Sequence, residues 1–512
     1  MMRPCFLLLC FALPCSAQQA APFAIAGHVV RHLDQRAVKG ARVSLSMVKD
    51  RENQVSAISG DNGEFSFQGV PAGKYQLEVA DHGTSQRYQQ TDNFATDIVV
   101  GRGKDTEHIQ FVLNAQATIS GSVVDEDSDP VPRVMVHLYT RTLVSGRYQI
   151  RIRTQTNTDT DGTFHFRHLQ PGTYFVCVVG QPWYSQGIMR MPHQPEDHSG
   201  LDMAYPVTYY AGATSPEGAT PLSLEEGGKA EIQIALHAVP SLHIALDGVE
   251  MNAPRNVLSL MQAGPGGTII RLPTMRVASE LVGVAPGNYL LAGNPTGETQ
   301  EISLTSNTSI RLADAVKTSI SGKVNVEGQV PSGLEVIIRN PAAGRAFTAT
   351  VKSDGTFEVA RAISGKYTVV LANAPETSLE RLEVKGAAFA NGELEVPKGA
   401  QAELLITAAR APYTLDGLVM KDKNPVAGAA VLLIPQDLKH GRSIVRYQSD
   451  SDGSFSFTSL PAGRYTLLAI DDGRGLAYAD PAVIGPYLAN GQTVTLPLAK
   501  DATLEVEVQT RK

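Results

Sequence analysis

The chain has 512 residues, 43% of them hydrophobic, with a formal net charge of −7 at pH 7. That length calls for several domains, each with enough apolar residues for its own core. The acidic balance leaves no basic field to displace phosphate counterions and excludes a nucleic-acid partner, and 46 glycines with 30 prolines point to a turn-rich β protein.

The chain opens with MMRPCFLLLCFALPCSAQQA, in which Arg3 precedes an apolar run from Cys5 to Leu13 and a small-residue exit at Cys15-Ser16-Ala17. This reads as a secretory signal over residues 1–17, cleaved near Ala17. The expected location is extracytoplasmic: periplasmic, outer-surface or secreted. The apolar run is too short for a permanent bilayer anchor, and Pro14 argues against lipidation at Cys15. No later segment holds 18 uninterrupted apolar residues, so no transmembrane segment is expected in the mature chain. Cys5, Cys10 and Cys15 leave with the signal. Cys177 remains alone and cannot form an intramolecular disulfide.

The first module, 18–114, begins a β-rich run at Ile25-Ala26-Gly27, continues through VKGARVSL, and reaches DNGEFSFQGVPAGKY between Asp61 and Tyr75. The second, 115–240, repeats the order with Ile119-Ser120-Gly121 and DGTFHFRHLQPGTY, Asp161 to Tyr174. In that stretch Asp161-Gly162 is a hairpin signal, because Gly accepts positive φ and Asp tolerates it. Phe164 and Phe166 fall on one face of a period-two strand. Pro171-Gly172 suits a type II turn with Gly at the third position. Tyr174, Val176 and Val178 then alternate along the next strand. Cys177, inside the apolar YFVCVV, reads as a buried small hydrophobe.

The third module, 241–314, keeps only a worn copy, LVGVAPGNY, ending at Tyr289. The fourth, 315–409, has Ile320-Ser321-Gly322 and DGTFEVARAISGKY, ending at Tyr367. The fifth, 410–512, has Leu415-Asp416-Gly417 and DGSFSFTSLPAGRY, ending at Tyr465. In the four full copies the turn glycines Gly63, Gly162, Gly355 and Gly453 stand ten residues before Gly73, Gly172, Gly365 and Gly463, and in all five a Tyr follows the second Gly by two. Each unit offers about seven short strands in about 80–120 residues, the size of a β-sandwich. The expected fold is therefore all-β: a tandem array of about five small prealbumin-like or immunoglobulin-like sandwiches after a signal peptide. The repeated Tyr has a structural use, with its ring packed inside and its hydroxyl turned back to the backbone. Convincing helical periodicity is absent. Linkers near Asn114–Ala117, Ala238–Ser241, Ala313–Lys317 and Ala408–Pro412 are short, so adjacent modules should touch.

The pattern β-Gly-x-Val, then G-A-x-V-x-L, then D-G-x-F-x-F-x-x-L/V-P-A-G-x-Y resembles the carboxypeptidase regulatory-like domain. That is a prealbumin-like β-sandwich, also grouped with carbohydrate-binding-like folds. In metallocarboxypeptidases the module accompanies the catalytic domain and is not itself catalytic. The resemblance implies folding, packing and recognition, and it specifies no ligand.

Three constellations offer candidate sites. His193 and Glu196 have the H-x-x-E spacing of zinc carboxypeptidases, with His198 close by. Pro195 between them and the lack of helical pattern favour a solvated loop. The acidic run Asp125-Glu126-Asp127-Ser128-Asp129, and the pairs Asp159/Asp161 and Asp450/Asp452, offer hard oxygens for calcium. Turn chemistry explains them without an ion. The insert 181–222 holds Trp183, the chain's single tryptophan, with Tyr184, Tyr205, Tyr209 and Tyr210. Aromatic faces stack on sugar rings, and Gln181, Gln186, Glu196 and Asp202 could bind hydroxyls. The plainer reading is that these aromatics pack against the sandwich. No nucleophile elbow, phosphate loop or dinucleotide fingerprint occurs, so no catalytic residue, metal or cofactor is expected. The leading expectation is a secreted non-catalytic protein that recognises a polysaccharide or another envelope component. The alternative is a purely structural scaffold for protein–protein contacts, and a secreted metallo-hydrolase comes last. Oligomeric state does not follow from the sequence.

Overall fold

The computed structural model describes residues 23–90, 94–182, 203–247, 259–273, 275–277, 280–292, 299–311, 318–340, 345–362, 364–374, 376–390, 392–397, 399–436, 442–473, 475–498 and 504–511. By its contacts the chain divides into two units: residues up to Val30, Arg36–Tyr88 and Asp97–Val112 form one, and the remainder forms the other.

The first unit is one sandwich. Its smaller sheet runs in the order Glu64–Val70, Phe23–Arg31, Ile109–Leu113, and its larger one in the order Asp50–Ile58, Arg42–Met47, Gly73–Asp81, Thr84–Arg87. Ile25, Val43, Leu45, Phe65, Leu77 and Phe111 are buried between them.

The second unit holds four further sandwiches. In the next one, Thr163–Leu169, Ala117–Val124 and Lys229–Ala235 make one layer. Arg147–Asn157, Met135–Val144, Gly172–Val179 and Thr208–Tyr209 make the other, with Leu222–Leu224 also paired to Gly172–Val179. The third and fourth sandwiches follow the same plan, around Leu242–Asp247 with Gly287–Ala292 and around Thr318–Val326 with Gly365–Ala372. In the fifth, the closing strand Leu504–Gln509 pairs with both Tyr413–Lys421 and Gly463–Ile470, so the two layers merge into one eight-stranded sheet. In all four the first and last strands lie parallel: Ala117–Val124 with Lys229–Ala235, Leu242–Asp247 with Thr308–Arg311, Thr318–Val326 with Gln401–Arg410, and Tyr413–Lys421 with Leu504–Gln509.

That parallel pairing explains the repeated glycine of the opening strand. A Cβ on Gly121 would lie 2.2 Å from the Ile232 carbonyl oxygen and 2.8 Å from the Phe164 ring. On Gly322 it would lie 2.1 Å from the Leu404 oxygen and 2.8 Å from the Phe357 ring. The motif's first phenylalanine therefore occupies the space that the glycine leaves open, and the closing strand passes over both.

The repeated tyrosine forms the expected corner. Each ring is buried. The hydroxyl donates to the carbonyl four residues back in Tyr75 to Pro71 at 3.0 Å, Tyr174 to Gln170 at 2.7 Å, Tyr465 to Pro461 at 2.8 Å, and also Tyr289 to Ala285. The preceding turn differs from expectation. Gly172 has φ 157° and starts the strand Gly172–Val179, so Pro171-Gly172 is not a type II turn. The left-handed residue is His168, with φ 59°, at a register shift between Phe166 and Leu169. The same bulge places Ser459 at φ 56° in the fifth module. Among the described residues the one α-helix is Pro481–Leu488, whose sequence carries no helical periodicity. Its N-cap Asp480 accepts the Ala482 N–H at 2.9 Å, and Ile484 and Tyr487 are buried beneath it.

Candidate functional site

The second sandwich carries the insert, and its larger sheet departs from the ordinary one-sided pattern. Val136, Leu138, Val176 and Val178 face the core between the layers. Tyr139, Cys177 and Val179 face the other way and are also buried, in a second apolar layer with Val207, Tyr209 and Ile270. Ile270 comes from strand Ile269–Arg271 of the third sandwich. Both faces of the sheet are thus dry, which continuous apolar strands such as YFVCVV require.

The insert aromatics divide between these layers. Tyr209 pairs with Cys177 in the ladder and is 1% exposed. Tyr205 is 8% exposed and packs into the core between the sheets, while half-buried Tyr210 lies against that same core. Tyr209 ends its strand in the outer layer and Tyr210 begins the turn on the core side, so the two rings diverge. Trp183, Tyr184, Gln186, Glu196 and Asp202 lie outside the described residues, as do His193 and His198. Beside Tyr205, a small open cleft is lined by Gln181, Tyr205, Pro206, Gln262, Pro273 and Tyr289. It is uncharged, and Gln181 donates its side-chain amide to the Pro273 carbonyl across it at 3.3 Å.

The electrostatics of the second layer are those of burial. Desolvation pushes the Cys177 thiol up to about 12 and raises the Tyr209 hydroxyl as well. The thiolate that nucleophilic chemistry needs is therefore suppressed. His137 lies on the same strand as Tyr139 with its ring 6.2 Å away and stacked. It is 6% exposed and neither ring nitrogen has a hydrogen-bond partner, so burial lowers its pKa.

The acidic turns bind backbone. Asp159 accepts the N–H groups of Asp161 and Thr163 at 3.0 and 2.8 Å and the Thr163 hydroxyl at 2.6 Å. The Thr163 side chain is the main reason its carboxyl stays below the usual range. Asp125 accepts from the N–H groups of Asp127 and Asp129 at 3.1 and 2.9 Å, and buried Asp450 accepts from the Tyr447 and Ser454 hydroxyls. Among the described residues no three His, Cys, Asp or Glu side chains gather as a metal site, and no helix is long and apolar enough to cross a membrane.

Paired sheets, parallel terminal strands and tyrosine corners define a tandem β-sandwich protein. Residues 24–114 and 118–237, its first two sandwiches, match the model of the carboxypeptidase regulatory-like domain family. The human BOS complex subunits NOMO3 and NOMO1 are 28% identical to it over 183 residues, covering 31% of this chain. The chain spans 14% of the length of these curated relatives. Among solved structures, the Bacillus anthracis TIE protein overlaps 57% of this chain and 50% of its own, at 13% identity and a TM-score of 0.18. The minor pilin GBS52 of Streptococcus agalactiae overlaps 42% of this chain and 97% of its own, at 14% identity and a TM-score of 0.22. Overlaps this loose carry no argument about function.

Proposed function

We propose that the chain is a non-catalytic scaffold that works outside the cytoplasm and holds other macromolecules through its sandwich faces. The observation that carries this reading is the use of the motif's polar groups. Tyrosine hydroxyls close corners, aspartates hold turns, and the thiol and two insert tyrosines are sealed in apolar layers. The extracytoplasmic part rests on the leader pattern of residues 1–17. Envelope proteins retained on an immobilised mature chain, with no turnover of peptidase or glycosidase substrates with or without zinc, support it. Substrate turnover would overturn it.

A second reading is recognition of a polysaccharide at the insert, through Trp183, Tyr184, Tyr205, Tyr209 and Tyr210. The neutral, amide-lined cleft beside Tyr205 supports it, since such groups suit hydroxylated, uncharged ligands. Of the described insert tyrosines, Tyr210 alone is only partly buried beside the core, so the contact would run through Tyr210 and Trp183. Glycan-array binding that disappears in Trp183→Ala and Tyr210→Ala supports this reading. An empty array for the native chain removes it.

A further inference from the structure

The hairpin Met135–Val144 and Arg147–Asn157 of the second sandwich is longer than its sheet. Its own ladder runs out to the pair Val144–Arg147. The neighbouring strand Gly172–Val179 follows it only as far as Thr140. Past Thr140 the hairpin is a two-stranded ribbon, and such ribbons are marginal in water without something to pack on. Ser145 and Gly146, at φ 48° and 78°, make its two-residue tip.

The tip reaches residues of the fifth sandwich, which is not its neighbour in sequence. The Ala479 N–H donates to the Gly146 carbonyl at 3.1 Å, and the Tyr148 hydroxyl donates to the Gly475 carbonyl at 2.7 Å. Arg141 lays its guanidinium carbon 4.1 Å from the centre of the Tyr148 ring and orients it. Gly146 sits so close to Tyr478 that a Cβ there would lie 2.5 Å from a ring carbon. Tyr478 belongs to the apolar layer in which Ile484 and Tyr487 of the helix Pro481–Leu488 cover Leu432, Leu468 and Ile470. The tip thus bonds the turn from which that helix starts.

We propose that this hairpin is a docking arm whose partner is the C-terminal sandwich of the same chain. It seats the turn 475–480, and the helix then lies down over the outer face of the sheet. Two modules separated by two others in sequence become coupled, whatever the array binds. The coupling needs a short side chain at the tip and a hydroxyl on the following strand, which Gly146 and Tyr148 supply.

Hydrogen exchange on the full chain tests this. Gly146→Val strains a positive φ and collides with Tyr478, whereas Tyr148→Phe removes one hydrogen bond and leaves the hairpin intact. Amides of 475–488 should exchange more than about tenfold faster in Gly146→Val. In Tyr148→Phe they should exchange about three- to tenfold faster, with 172–179 and 413–421 unchanged in that variant. Unchanged exchange of 475–488 in Tyr148→Phe overturns the proposal, even if Gly146→Val disrupts its own hairpin. Protection of 475–488 that falls on dilution also overturns it, because the docked arm would then belong to a second copy.

Discussion

The second and fourth sandwiches share the opening glycine, the Asp-Gly turn and the corner tyrosine, yet they treat their larger sheets differently. In the second, strand Gly172–Val179 ends in four consecutive buried residues, and Cys177 and Val179 are covered on the face away from the core. In the fourth, the matching strand Gly365–Ala372 buries Tyr367, while Val370 is 42% exposed. The fifth sandwich sides with the second: Leu432, Leu468 and Ile470 are covered by the helix Pro481–Leu488. The motif therefore specifies the inner layer alone. The outer face is set copy by copy, and that is where modules acquire partners within the chain.

This contrast can be broken at several points. The largest effect belongs to the shared inner face. Gly121→Val and Gly322→Val each drive a side chain into a backbone carbonyl and should cost more than about 4 kcal/mol in their own module. Denaturant unfolding followed by hydrogen exchange on peptides of each module reads this, and tolerance of either would separate the two copies at the point where they should be alike.

On the outer faces the copies should differ. Tyr209→Ala removes a buried ring from the second layer and should destabilise that module by about 3–5 kcal/mol. Val370→Ala should stay within about 0.5 kcal/mol. Comparable losses would mean that the outer faces are equivalent. A smaller, uniform effect is expected at the corners: Tyr174→Phe and Tyr465→Phe each lose one hydrogen bond to a carbonyl, about 1 kcal/mol.

The mildest difference concerns pH. Burial lowers the pKa of His137 in the folded state. The unfolded chain then binds the proton first, so stability falls as pH drops through the unfolded value of about 6.5 and stops falling below the folded one. Thermal unfolding of the second sandwich should weaken from pH 7 to 5, and His137→Phe should flatten that dependence. An unchanged slope in the variant would assign it to other groups.

Much of the fold was legible because turn chemistry and period-two alternation are local. Asp161-Gly162, Phe164, Phe166 and Tyr174 announce a sandwich corner without any knowledge of the rest of the chain. The bulge at His168 was hidden, since histidine does not advertise a left-handed conformation and Pro171-Gly172 suggested an ordinary turn instead. The helix Pro481–Leu488 was missed because it is eight residues long with Pro486 inside it, too short for a helical stripe. The second layer did leave a trace: YFVCVV and AVLLIP are unbroken apolar runs, the mark of strands covered on both sides. What covers them comes from distant sequence, Ile270 in one case and Tyr478 in the other, and no local pattern records that pairing. The insert aromatics invited a binding reading by composition, while the ladder position of Tyr209 depends on its pairing with Cys177.

The reactivity of Cys177 tests most directly whether the insert closes a dry layer. A thiol reagent is added to the native chain and the Cys177 peptide is followed by mass. The account predicts that labelling waits for unfolding in the native chain and becomes rapid in Tyr209→Ala. Labelling of the folded native chain at the rate of a free thiol would contradict it.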